Sequence, residues 1–188
     1  METLLSILLG LGLAAACGFR VFVPLLIMSI ATRSGHLELG QGFLWIGSMA
    51  ALVTFSVATL LEIAGYYIPW VDNLLDAVAT PTAIVAGIMV TASAVTTDVD
   101  PFLRWTLAIL GGGGTAATFQ GITATARHVS SFTTGGLANP LLATVEAGSS
   151  ALLSVLAIVV PVLAMLLIVG LLYFGVKRLL FRRPVRAA

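Results

Sequence analysis

The chain has 188 residues, of which 59% are hydrophobic and only 9% charged, and a mean hydropathy of +1.10. That composition lies far outside the range of soluble globular domains. Several apolar runs reach the roughly 20 residues that cross a bilayer as helix, which predicts an all-α, polytopic helical membrane protein with one transmembrane domain over residues 1–188.

The first apolar segment runs from about Leu4 to Ile30 and is interrupted by Gly18, Arg20 and Pro24. Met1-Glu2 brings no basic n-region, so this segment reads as a retained span rather than a cleaved signal. Gly10, Ala14 and Gly18 recur at i, i+4, i+8, a small-residue stripe that admits another helix closely. Cys17 is the only cysteine, so no disulfide forms within the chain. Arg20 lies too deep to snorkel; a cation there must face protein, a partner or water. Pro24 is expected to kink or break the helix.

Thr32 to Gln41 is a polar loop, with His36 a solvated residue. The second span, about Phe43 to Tyr67, closes on Tyr66, Tyr67, Pro69 and Trp70, which resemble an interfacial belt. Glu62 stands about a turn deeper than that belt. Asp72 and Asp76 follow at i, i+4, so a helix would place both carboxylates on one face, able to share a proton or a cation. Pro81 is expected at the start of a third span reaching Thr97.

A fourth span begins near Phe102 and meets four glycines, Gly111 to Gly114, which read as close helix packing rather than a phosphate loop. Ala117, Gly121 and Thr125 form a second small-residue ladder. Between Thr115 and Thr134, eight residues in twenty are Ser or Thr. The run from Thr115 to Glu146 also carries Gln120, Arg127, His128, the Gly135-Gly136 pair, Asn139, Pro140 and Glu146. Such a polar, Gly/Pro-interrupted stretch is tolerated in a membrane only where protein or a water-filled cavity satisfies its backbone, so a broken or re-entrant segment is expected. The last span, about Leu152 to Phe174, contains Pro161 and should tilt or kink.

These segments give five transmembrane helices, or six if the hydroxyl-rich stretch crosses fully. Five of the nine Lys and Arg residues fall in the tail, residues 177–188, which predicts a cytoplasmic C-terminus in a multi-pass protein of the cell's inner (plasma) membrane. A weak echo between LGLGLAAACG (from Leu9) and LGGGGTAATF (from Leu110) suggests an inverted repeat with halves 1–97 and 102–176, a recurrent transporter architecture.

Three pieces together resemble an uncharacterised family of small bacterial integral membrane proteins, catalogued only as a domain of unknown function. They are GFRVFVPLL with Gly18, Arg20 and Pro24; EIAGYYIPWVDNLLDAV with Glu62, Pro69, Asp72 and Asp76; and TTGGLANPLLATVE with Thr134, Gly135, Gly136, Asn139, Pro140 and Glu146. The chain departs from that pattern at Tyr66-Tyr67, where a charged pair is usual, and at Ala147, where an acidic residue is. The resemblance implies a compact membrane protein and brings no activity with it.

Ionisable residues inside a membrane mark solute or ion pathways. The expected function is therefore a transporter or channel for a small solute or ion. Its polar, charged cavity between the two halves would be lined by Arg20, Glu62, Asp72, Asp76, Gln120, Arg127, Thr134, Gly135, Gly136, Asn139 and Glu146. A membrane enzyme on a lipid-linked substrate is the alternative, using carboxylates and His128, although there is no nucleophile elbow. A structural or accessory subunit is the third reading. Two histidines and one cysteine call for no metal cluster or cofactor. The partners expected are the bilayer, a small solute or ion, and further copies of the chain through the small-residue faces; nucleic acid is not among them.

Overall fold

The computed structural model describes residues 2–95 and 99–180, and all regular structure among them is helical. Helix α1 (Glu2–Phe19) is the axle of the bundle. It is buried from Gly12 to Gly18, and α4 (Pro69–Ala94), α6 (Gly114–Thr134), α7 (Asn139–Val159) and α8 (Pro161–Leu180) all pack against it. Its glycines make this possible, because a Cβ on Gly18 would lie 2.5 Å from Phe119 Cβ and one on Gly12 would lie 2.7 Å from Ala157 Cβ. The small-residue stripe of α1 is thus used inside the chain.

The chain breaks after α1 at Arg20 and Val21 and resumes as α2 (Phe22–Arg33). Pro24 does not cause that break. It sits in the first turn of α2, where a missing N–H costs nothing because the first amides have no intrahelical acceptor.

The expected second span is bent rather than continuous. A short 3₁₀ helix, Gln41–Gly47, meets α3 (Met49–Gly65) at 63°. Ser48 caps α3 by accepting from the Ala51 N–H at 3.1 Å. The third span starts twelve residues earlier than expected, since α4 runs from Pro69 and carries Pro81 in its interior. The acidic piece with Asp72 and Asp76 is therefore the first part of one long helix.

Asp100 caps α5 (Pro101–Thr106) through the Phe102 and Leu103 amides. A π-helical stretch, Leu107–Gly113, joins α5 to α6 without interruption. The glycine run packs closely, as expected: a Cβ on Gly112 would fall 2.2 Å from Thr91 Oγ1 and 2.5 Å from the Gly87 carbonyl. Thr91 Oγ1 in turn donates to the Gly10 carbonyl, tying α4 to α1. The expected last span is divided: α7 ends at Val159, and Pro161 opens α8 instead of kinking one helix.

Among the described residues three helices are long and apolar enough to cross a membrane, or four if the bent pair is one span. They present large apolar side chains outward, including Leu60, Leu61, Val85, Leu141 and Leu152. That is more contiguous apolar surface than a fold leaves in water. Most of the basic tail lies outside the described residues.

Candidate functional site

Arg20, at the break between α1 and α2, is 1% exposed. A guanidinium there would be intolerable alone. Its Nη2 forms an ion pair with Glu146 Oε2 of α7 at 3.1 Å and donates a hydrogen bond to the Ala143 carbonyl at 3.1 Å. Arg127, on the buried face of α6, meets the same carboxylate side-on: Nε donates to Oε1 at 3.0 Å and Nη2 to Oε2. Its Nη1 donates to Asp76 Oδ1 of α4. Glu146 is thus shared by two arginines, and Arg127 by two carboxylates. Charge-assisted, bidentate contacts of this kind are the strong ones.

The ring of Tyr66 lies against both cations, its centroid 3.8 Å from Arg20 Cζ and 4.0 Å from Arg127 Cζ. Such contacts gain strength when water is excluded. Two donors of Arg20, Nε and Nη1, are buried with no hydrogen-bond partner among the described residues.

Glu62 of α3 joins the group differently. It is 8% exposed, and its two oxygens accept from the Val21 and Phe22 amides at 2.7 and 3.0 Å. The carboxylate therefore caps α2, at the helix end that favours negative charge. It also orders the residues that hold Arg20 in place. Both arginines act on it through space, but no ion pair among the described residues includes it.

Arg20, Glu62, Asp76, Arg127 and Glu146 thus converge in one buried network. The other residues singled out from the sequence fall elsewhere. Gln120 is buried two turns before Arg127 on α6, where its backbone packs on Gly18. Thr134, Gly135, Gly136 and Asn139 form the tight turn from α6 to α7. Gly135 and Gly136 have φ of 63° and 86°, a left-handed conformation that side chains resist. Thr134 Oγ1 accepts from the Ala138 amide, and Asn139 Nδ2 donates to Ser131 Oγ at 3.1 Å, strapping the turn. The expected re-entrant segment is a helical hairpin whose turn brings Arg127 and Glu146 together. Asp72 is on α4, one turn before Asp76; its side chain lies outside the described residues.

Two contributors had not been singled out. Tyr66 looked like a belt residue, although it stands at i+4 from Glu62 and so shares its face. Ser150, at i+4 from Glu146, donates to the Ala16 carbonyl at 2.9 Å and fixes α7 against the end of α1. Among the described residues no three His, Cys, Asp or Glu side chains are grouped to hold a metal ion.

Beside the network a groove of about 640 Å³ opens between α3 and α4, with Glu62 and Tyr66 on a wall otherwise built mainly of aliphatic side chains.

Residues 7–180 match the model of the family described as Domain of unknown function (DUF4126), so the chain belongs to that family. No curated protein and no solved structure matches it.

Proposed function

We propose that this member of a family without an assigned activity is a membrane transporter or channel for a small solute or ion, with the arginine–carboxylate network as its central polar element. The observation that carries the reading is the convergence of Arg20, Glu62, Asp76, Arg127 and Glu146, from four helices and one helix break, in a chain that is 9% charged. Ionisable groups at such cost in an apolar protein mark a permeation path by default. The two buried Arg20 donors that lack a hydrogen-bond partner among the described residues are what water or a solute acceptor would engage.

In this reading the α5–α6 helix and α8 cross the membrane beside α1, the bent pair with α3, α4 and α7, giving six crossings, or five if the hydroxyl-rich helix does not traverse. The protein sits in the inner membrane with its basic C-terminus in the cytoplasm. The repeat echo would relate the two halves around the network. The α6 ladder at Gly121 and Thr125, which faces open space, would pair copies.

A structural role is the second reading, favoured by the complete pairing of Arg127 with Glu146 and Asp76. Ion- or proton-dependent flux in proteoliposomes separates the two. Transport predicts flux in the wild type that disappears in Glu62→Gln and Arg20→Ala proteins of native helicity. A structural role predicts no flux and lower thermal stability alone. Turnover of a lipid-linked substrate without flux would instead indicate an enzyme.

A further inference from the structure

The groove between α3 and α4 makes the class of solute more specific. The two helices touch where a Cβ on Gly65 would lie 2.6 Å from Leu75 Cδ1, and beside this contact the space of about 640 Å³ opens. That size is in the range of pockets that enclose small organic molecules. Its lining is aliphatic and aromatic apart from Glu62, Tyr66, Thr82 and backbone. Glu62 is the only carboxylate among the described residues of that wall.

The charge bookkeeping of the network assigns this carboxylate a distinct position. Arg20 and Arg127 supply two positive charges, which Glu146 and Asp76 match through direct ion pairs. Among the described residues Glu62 is the third carboxylate of the network, held by two backbone amides and by no cation. Each of its oxygens keeps a lone pair beyond the one used by an amide. Among the described residues, the carboxylate of the network that pairs with no cation is therefore the one that borders the apolar groove. A free inorganic cation, which needs a shell of several oxygens, would find one carboxylate among the described lining residues, with only the Tyr66 and Thr82 hydroxyls and backbone besides. An anion would meet a carboxylate while both guanidiniums lie behind the Tyr66 ring, off the groove wall.

We infer that the α3–α4 groove is a binding site for a lipophilic organic monocation, its apolar body against Leu75, Ala79 and their neighbours and its positive centre facing Glu62. The inference rests on the transport reading for the use of the site, and binding can be measured without it. The direct probe is tetraphenylphosphonium, titrated by equilibrium dialysis against the purified full chain in detergent. Tetraphenylborate, nearly the same shape with opposite charge, is the control.

Saturable phosphonium binding is expected, with the borate at least about tenfold weaker. Glu62→Gln should weaken phosphonium binding by about tenfold or more and remove the preference for positive charge. Because Glu62 also caps α2, a second variant avoids the network: Ala58→Phe, one turn earlier on α3 and on the groove wall, should weaken both ligands by occupying their space. No saturable phosphonium binding to the folded wild type overturns the inference, as does equal affinity for the borate or undiminished binding to folded Ala58→Phe. Saturable binding without flux would leave this site standing and refute transport. Flux that phosphonium neither inhibits nor follows would refute the site's assignment to the path and leave transport intact.

Discussion

Replacing Glu146 with Gln is the perturbation whose size follows most directly from the structure. The carboxylate receives Arg127 Nε and Nη2 and Arg20 Nη2, with the arginines 2% and 1% exposed. A Gln side chain has one acceptor oxygen, so it can satisfy one arginine while its amide donors face the other. Two charge-assisted contacts are lost, each contributing about 1.5–3 kcal/mol. Asp76 still holds Arg127 and offsets part of this, leaving about 3–5 kcal/mol, in line with breaking other buried pairs. For a chain of this length that corresponds to a fall in Tm of roughly 6–20 °C, measured by circular dichroism in detergent. A cycle with Arg127→Gln should show a coupling of at least about 1.5 kcal/mol between the two positions. A Glu146→Gln protein within about 1 kcal/mol of wild type, or a cycle that is simply additive, would refute the shared-carboxylate account.

Four further outcomes follow. Tyr66→Phe keeps the ring against both cations and should change stability by less than about 1 kcal/mol, whereas Tyr66→Ala should cost about 2–4 kcal/mol in the same melts. Gly112→Ala drives a methyl into Thr91 and the Gly87 carbonyl and should cost about 1–3 kcal/mol, while Gly121→Ala, which meets open space, should be neutral or stabilising by up to about 1 kcal/mol. Gly135→Ala forces a side chain into a left-handed turn and should lower stability by about 1 kcal/mol, read from thermal melts. Cys17 is fully buried between helices, so a maleimide should label it only after unfolding, at the rate of the melt rather than of the free thiol.

How far the sequence could be read depended on which force decided each feature. The cost of charge in apolar surroundings is local, so Arg20, Glu62, Arg127 and Glu146 stood out from composition and depth, whereas Asp76 was picked out by its spacing from Asp72, in a piece expected to lie before the third span. Their pairing was not legible. It depends on the axle position of α1, which follows from Gly12 and Gly18 meeting Ala157 and Phe119 across the bundle, and no spacing rule names those partners.

Pro24 and Pro81 were misread for a physical reason. Pro24 and Pro161 both stand in the first turn of a helix, where they are well tolerated, and Pro81 is accommodated inside a long one. One observed break falls at Arg20-Val21, where Glu62 replaces the missing backbone acceptors; the other, at Val160, directly precedes Pro161, near where a bend was expected. Tyr66 was hidden by its neighbours Tyr67 and Trp70, whose pattern matched a membrane interface. The groove was invisible because a void between helices is set by how far they separate, and aliphatic side chains look the same whether they face lipid, core or cavity.

The central claim is that the converged charges serve passage rather than cohesion alone. Its most direct test is flux across sealed proteoliposomes containing equal amounts of wild-type, Tyr66→Phe and Glu62→Gln protein, each verified as folded by its melt. The account predicts gradient-driven ion or proton movement in the wild type and none above empty vesicles in Glu62→Gln, with Tyr66→Phe reporting whether the phenol oxygen takes part. Wild-type vesicles as tight as empty ones, or a Glu62→Gln protein that conducts as well as wild type, would contradict it.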